Sequence, residues 1–359
     1  RGDGPLAVGE GPVRTGVTVI CPREGLTRDE PVFAGSHRLN GNGEMTGLEW
    51  IREAGVLTTP IAITNTHSVG VVRDALVALE LEARTDEDVY WCMPVVAETF
   101  DGVLNDINGQ HVKTHHVREA LANAGGGPVD EGSVGGGTGM ICHEFKGGIG
   151  TASRRLSEEE GGWTVGALVQ ANYGRRDMLR VDGAPVGRVL TTDRIPTPLA
   201  VLEGEDRMPA GSGSIIVVLA TDAPLLPGQC DRLAQRAGIG LARAGGGVDD
   251  GSGDLFLAFA TGNRGIPRAG FPLNSPATVP LRMVPSERMT PLFEAAAEAT
   301  EEAILNALSA ADTVTGRDGI TAHGLTADLL LGALNEARAL HARRDAGERR
   351  GSVSADGSR

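Results

Sequence analysis

The chain has 359 residues, with 33 basic against 47 acidic side chains and a net charge of -14, which argues against binding nucleic acid or an anionic membrane without a concentrated basic patch. A hydrophobic content of 40% suits a packed core, and the length suffices for one large or two ordinary domains. No stretch approaches the roughly 20 apolar residues of a membrane span, no charged-plus-apolar leader opens the chain, and Cys21, Cys92, Cys142 and Cys230 form no CxxC pair, so reduced, buried thiols are expected; a cytoplasmic location is the expectation, left open because the chain begins with Arg1 rather than Met.

Residues 16 to 22, GVTVICP, read as a buried strand, and a helix follows from about Gly47 with Trp50 and Ile51 on its apolar side. PIAITNT is a second strand, and SVGVVRDALVALELE, from Ser68 to about Glu82, has helical spacing with Ser68 placed to cap it. Residues 101 to 150 are rich in turns. WTVGALVQANYG and SIIVVLATDAP read as strands, with a loop over 190 to 213 between them. LPGQCDRLAQRAGIGLARAG is a helix that closes on glycines. Leu255 to Ala260 is a short buried strand, Pro291 to Leu308 a strong helix, and about 325 to 344 a further one. The only basic run, Arg343 to Arg350, sits in a polar tail whose last ten residues, 350 to 359, read as disordered. With no repeat and no linker, a single layered body of strands and helices is expected, and its 52 glycines suit close packing and sites made of main-chain amides.

Glycine clusters at 125 to 127 and 135 to 139 invite a phosphate-loop interpretation, but GGGTGMICHEFKGG contains neither GxxxxGK[ST] nor GxGxxG opening a helix. Tight turns between close-packed layers are expected instead. His111, His115 and His116 lack a carboxylate or cysteine at matching spacing, which favours a surface or oligomer contact over a metal site. GxSxG, the hydrolase nucleophile elbow, is absent.

The loop GVDDGSGD, entering the strand at 255, is the unusual feature. A serine after glycine can attack the carbonyl before it, converting the peptide to an ester that water hydrolyses. Cleavage between Gly251 and Ser252 would leave Ser252 with a free α-amine of reference pKa about 7.7 to 8.0, so that one residue carries both nucleophile and base. By itself, a Gly-Ser pair before a strand is more often a simple turn.

A resemblance spanning nearly the whole chain changes that balance. GPVRTGVTVICPR, GNGEMTGLEW, PIAITNTHSVG, PVVAETFDGVLNDINGQHV, FKGGIGTASR, VQANYGRRDMLRVDGAPVG, SIIVVLATDAPLLP, DDGSGDLFLAFATGN and PLFEAAAEATEEAILNAL resemble, in order, the L-aminopeptidase/D-esterase (DmpA) family of serine peptidases, family S58. The resemblance implies an α+β fold, a four-layer αββα sandwich like that of the ornithine acetyltransferases. It implies a precursor that cleaves itself into an α portion, 1–251, and a β portion, 252–359, together forming one catalytic domain. Release of N-terminal residues from short peptides, amides or esters through an acyl-enzyme on Ser252 would follow, with L-, D- or β-residues accepted by different relatives. No metal or organic cofactor is implied, nor a nucleic-acid or membrane partner; a homo-oligomer of α/β heterodimers, tetramer-like, is.

The family's S/T-x-E pair matches Thr300 and Glu302, which would hold the Ser252 amine and orient its proton traffic. Asn172 is the expected oxyanion donor, and Tyr173 a residue of the pocket. Glu144 is the candidate to hold the substrate amine, unless Lys146 neutralises it. Family chains usually carry an earlier segment, N-A-I-T-D-V-x-G-V-x-V-G, where this one opens RGDGPLAVGEG; loss of a core strand would put folding and self-cleavage in question. Two rivals stand beside the hydrolase: an acyltransferase on the same fold, against which a serine rather than threonine nucleophile speaks, and a non-catalytic oligomeric scaffold that never cleaves.

Overall fold

Apolar residues run almost unbroken through the strand segments IAITN, SIIVVLAT and LFLAFA, so both faces of these strands are buried, and successive side chains point to opposite faces. In the computed structural model, which describes residues 7–85, 89–201, 212–268 and 276–340, the strands are β1 (Thr18–Ile20), β2 (Val32–Gly41), β3 (Val56–Leu57), β4 (Ile61–Asn65), β5 (Val95–Thr99), the short pair β6 (Ile141–Cys142) and β7 (Phe145–Lys146), β8 (Gly148–Arg155), β9 (Thr164–Asn172), β10 (Gly213–Thr221), β11 (Ser252–Ala260) and a second short pair, β12 (Val314–Thr315) and β13 (Thr321–Ala322). The helices are α1 (Leu48–Ala54), α2 (Val69–Ala83), α3 (Thr114–Ala122), α4 (Pro227–Arg243) and α5 (Thr290–Ser309), and another covers 327–340. The basic run at 343 to 350 and the tail at 350 to 359 lie outside the described residues.

β1, β4 and β5 make a three-stranded sheet, and a six-stranded sheet runs β3-β2-β11-β10-β9-β8. Ile63 and Val95 of the small sheet meet Ile216, Val218, Leu255 and Leu257 of the large one in a shared core. On the small sheet's other face, Ala62 and Val96 pack against Val72 and Leu76 of α2 and Val117 of α3. On the large sheet's other face, Val217, Phe256 and Ala258 pack against Leu233 and Ala237 of α4 and Ala299 and Ala303 of α5. The layers therefore run helix, sheet, sheet, helix, the αββα sandwich that the resemblance implies. Burial of each such Leu, Ile or Phe contributes about 1.5 to 3 kcal/mol, so both faces of the two sheets are fixed by their alternation.

Several elements differ from expectation. β11 begins at Ser252 itself rather than at Leu255. Ser68 occupies the capping position of α2, but its hydroxyl makes no capping bond, because the 3-10 turn Thr66–Ser68 leads directly into the helix. β2, β5, β8 and α3 were not expected: the outer half of β2 is exposed, and the small, polar sequence of β8, GIGTASRR, looks like a turn until α5 covers it. Glycines 135 to 139 form a 3-10 turn wedged against the sheets, where a Cβ on Gly136 would lie 2.2 Å from Gln170 Oε1 and 2.8 Å from the Ile63 carbonyl oxygen. His111 Nε2 lies 2.9 Å from Asp106, while the rings of His115 and His116 pack 4.0 Å apart. Among the described residues no group of three or more metal-ligating side chains gathers, and no helix is long and apolar enough to cross a membrane.

Candidate active site

α4 ends near Arg243, and the glycine-rich loop after it turns back to start β11 between β10 and β2. β11 runs parallel to β10, with Ser252 opposite Gly213, and antiparallel to β2. The β2 register slips between Asp254, opposite Asn40, and Leu255, opposite Arg38. Such a slip is a bulge, which bends the strand and re-aims the side chains beyond it. Its consequence is that Asn40 and Asn42, past the bulge, face the loop that precedes Ser252.

The Asn40 amide nitrogen lies 3.1, 2.9 and 2.5 Å from the carbonyl oxygens of Asp249, Asp250 and Ser252. Asn42 Nδ2 donates to the Gly251 carbonyl oxygen at 2.8 Å, and the Ser252 backbone N–H donates to the Asp249 carbonyl at 3.2 Å. Both polar atoms of the Gly251–Ser252 peptide are thus held. Ser252 is 3% exposed, and its hydroxyl donates to Asp254 Oδ1 at 2.6 Å, as residues i and i+2 of a strand share a face. Burial pushes the Asp254 carboxyl up to about 6; the Ser252 hydrogen bond opposes this and the charge of Asp249 adds to it. Asp254 Oδ2 and the Tyr173 hydroxyl are both buried without a hydrogen-bond partner.

Gly251 forms part of the wall of a cleft of about 740 Å³, shared with Asn42, Glu98, Phe100, Ser214 and Arg317. Glu98, 4% exposed, accepts from the Glu44 backbone N–H at 2.9 Å and from the Thr66 hydroxyl. Its carboxyl is raised by burial, against the pull of those two donors. A second cleft of about 650 Å³ shares Gly43 and Glu44 with the first and reaches Trp50 and Met93.

Of the site residues expected from sequence, Gly251 and Ser252 are joined at the loop, and Tyr173 lies near enough to Asp254 for that carboxylate's charge to add to the burial that raises its phenol pKa. Asn172, on β9 and two strands from Gly253, donates to the Phe100 carbonyl and accepts from the Ile141 N–H, both at 2.8 Å. Tyr173 is 2% exposed and packs edge-on to His143 rather than lining the cleft. Glu144 Oε1 accepts from the Arg176 N–H at 3.1 Å, also away from the cleft. Lys146 forms no ion pair with Glu144; its ammonium donates to the carbonyls of Gly137 and Gly147 at 3.1 and 2.7 Å, and burial lowers its pKa to about 7. Thr300, fully buried, donates to the Ala296 carbonyl at 2.7 Å, and Glu302, 47% exposed, pairs with Arg154 at 2.5 Å. Neither shares a hydrogen bond with Ser252. Asp254 is absent from the expected set, although Ser252-x-Asp254 on a strand is a local signal for it. Asn42 and Glu98 carry no such signal, since only strand pairing brings them to the loop.

The family model described as Peptidase family S58 matches residues 4–322. Beta-peptidyl aminopeptidase BapA of Sphingosinicella microcystinivorans is 49% identical over 345 residues, covering 95% of this chain and 85% of the relative. A solved Burkholderia sp. beta-aminopeptidase is 61% identical with a TM-score of 0.85, covering 93% of this chain and 89% of its own. The L-aminopeptidase D-Ala-esterase/amidase of Ochrobactrum anthropi, described as a prototype for the serine aminopeptidases and a variant of the Ntn hydrolase fold, is 43% identical with a TM-score of 0.82 over the same shares.

Proposed function

The chain belongs to peptidase family S58 and is a hydrolase of the aminopeptidase and amidase type; from that premise we propose that it cleaves itself before Ser252 and then releases N-terminal residues through an acyl-enzyme on the same serine. The observation that carries this is the 2.6 Å hydrogen bond from the Ser252 hydroxyl to Asp254, at a scissile peptide whose N–H and carbonyl are both held. In maturation, Asp254 takes the hydroxyl proton as Oγ attacks the Gly251 carbonyl carbon. The proton then passes to the departing Ser252 nitrogen, and water hydrolyses the ester to free the Gly251 carboxylate. The nearly inaccessible nucleophile explains why cleavage must come first: departure of Gly251 removes the wall between Ser252 and the cleft. In turnover the new α-amine serves as the base, and the substrate's acyl group replaces Gly251.

The substrate is a short peptide, amide or ester with a free amine. Glu98, facing the cleft with its carboxylate already fixed by two donors, is the group that holds that amine, in place of Glu144. A β-amino residue at the N-terminus is the preferred substrate class, supported by the names of two close relatives. Assembly is a homo-oligomer of α/β heterodimers, for which the exposed Leu329, Leu331 and Leu340 of the helix over 327–340 offer apolar surface. Denaturing mass spectrometry tests the core of this proposal. Wild type is expected as two pieces of about 26 and 11 kDa, the shares of 37.2 kDa carried by 251 and 108 residues. Ser252→Ala is expected intact and without hydrolysis of a β-amino acid amide. Normal processing of that variant would remove Ser252 as nucleophile, and a single intact wild-type mass would favour the unprocessed scaffold.

A further inference from the structure

Attack on a peptide carbonyl places negative charge on its oxygen, and a neutral donor already fixed on that oxygen lowers the barrier more than one that must be recruited. At the Gly251–Ser252 bond the oxygen already has such a donor, contributed by the bend that follows β2, far away in sequence. Asn42 Nδ2 donates to it at 2.8 Å in the intact peptide, so a neutral donor is in place before the oxygen takes up the charge of attack. We propose that the Asn42 side-chain amide is the oxyanion donor for cleavage of the Gly251–Ser252 bond, a role that rests on the self-cleaving function proposed above.

Three further observations fit this role. The β2 bulge opposite Asp254 and Leu255 turns the Asn-Gly-Asn-Gly run, 40 to 43, toward the loop. Gly253 is required for its approach, since a Cβ there would lie 2.5 Å from the Asn42 carbonyl oxygen and 2.9 Å from Gly43 Cα. The other asparagine of the run, Asn40, holds the carbonyls on either side of the scissile one, those of Asp250 and Ser252, and not Gly251 itself. The pair thus divides the work, with Asn40 fixing the loop and Asn42 meeting the reacting oxygen. Asn172, whose carboxamide is bonded to the backbone at both ends, is two strands away from this oxygen.

The charge balance is simple. The Ser252 Oγ–H proton moves to the Asp254 carboxylate as the Oγ–C bond forms, and the carbonyl π electrons move onto the Gly251 oxygen, held by the Asn42 N–H. On collapse the C–N bond breaks and the proton from Asp254 goes to the leaving nitrogen. Asn42 neither gains nor loses a proton.

The test is the rate of precursor splitting, followed by denaturing mass spectrometry in wild type, Asn42→Ala, the isosteric Asn42→Asp, and Asn40→Ala. Asn42→Ala and Asn42→Asp are expected to split about 10²-fold more slowly, the lower end for loss of one oxyanion donor because Asn42 sits at the exposed rim of the cleft. Asn40→Ala is expected to slow far less. Melting temperatures measured in the Ser252→Ala background, where nothing splits, are expected to stay within a few degrees for both Asn42 variants. Wild-type splitting rates in the Asn42 variants, equal slowing by Asn40→Ala, or slowing matched by a large loss of melting temperature would each overturn the assignment. A wild-type chain that never splits would instead overturn the self-cleavage on which it rests.

Discussion

Replacing Asp254 by asparagine should stabilise the precursor and stop its maturation, two effects that a merely structural carboxylate would not combine. Asp254 titrates at about 6 instead of its ordinary 3.8 because it is buried, so the folded chain holds its proton more tightly than the unfolded chain does. Stability must therefore fall as pH rises from about 4 to about 6, and stay lower above that window. Holding a charged carboxylate in that buried place costs roughly 3 kcal/mol at neutral pH, an upper figure for what removing the charge can restore. Asparagine keeps an acceptor for the Ser252 hydroxyl, and its amide nitrogen can take the place of Oδ2, which has no hydrogen-bond partner. In the Ser252→Ala background, where Asp254 also loses the hydroxyl that holds its pKa down, Asp254→Asn is thus expected to melt higher than its parent at pH 7.5, with the difference shrinking toward pH 4. With Ser252 restored, loss of the general base should slow splitting by about 10² to 10⁴, and the wild-type splitting rate should fall about tenfold per pH unit below 6, following the carboxylate. A lower melting temperature at pH 7.5, or splitting at the wild-type rate, would refute the assignment.

Gly253→Ala places a methyl group against the Asn42 and Gly43 backbone, so it is expected to cost about 1 to 3 kcal/mol in precursor stability and to slow splitting by drawing Asn42 off the Gly251 oxygen; a melting curve and a splitting time course decide both. Glu98→Gln is expected to raise KM for free-amine substrates about 10- to 100-fold, the worth of a charge-assisted hydrogen bond, and to leave N-blocked esters unaffected. Glu144→Gln should leave both values of KM alone, since Glu144 meets Arg176 outside the cleft; the opposite ranking in steady-state kinetics would return amine recognition to Glu144. Glu302→Gln is expected to mature at the wild-type rate because the carboxylate is engaged by Arg154, whereas slow maturation would place it in the proton path that the resemblance implies.

What was legible in the sequence follows from the range over which each signal acts. The strands at Thr18, Ile61, Thr164 and Ser214 and the two long helices declared themselves through local periodicity, as did the loop at Gly251. β8 and the outer half of β2 did not, because small or polar residues become strand only when a partner strand and a helix are already in place. The site divides in the same way. Ser252 was singled out by its glycine-rich loop but assigned as nucleophile only through the family resemblance, whereas Asp254, two residues on, was within reach of strand alternation. Asn42 and Glu98 lie 209 and 153 positions from Gly251, and no local pattern links residues so far apart; β2 beside β11, and the stacking of the small sheet on the large one, bring them to the cleft.

The same separation explains the composition of the loop itself. A core strand entered through glycines and aspartates looks like a poor connection if its purpose is only to join α4 to β11. It becomes intelligible if the connection has to break. Gly253 lets β11 come close enough to the Asn42 backbone for the Asn42 side chain to reach the Gly251 oxygen, and the buried Asp254 beside Ser252, the proposed base, is held at a cost to stability in the intact chain. That cost acts on the uncleaved precursor, where Ser252 is covered and of no use to a substrate. On the proposed cleavage, breaking the peptide would remove the wall at Gly251 and add an amine beside the carboxylate, so the arrangement that burdens the intact chain would be the one a cleaved enzyme requires.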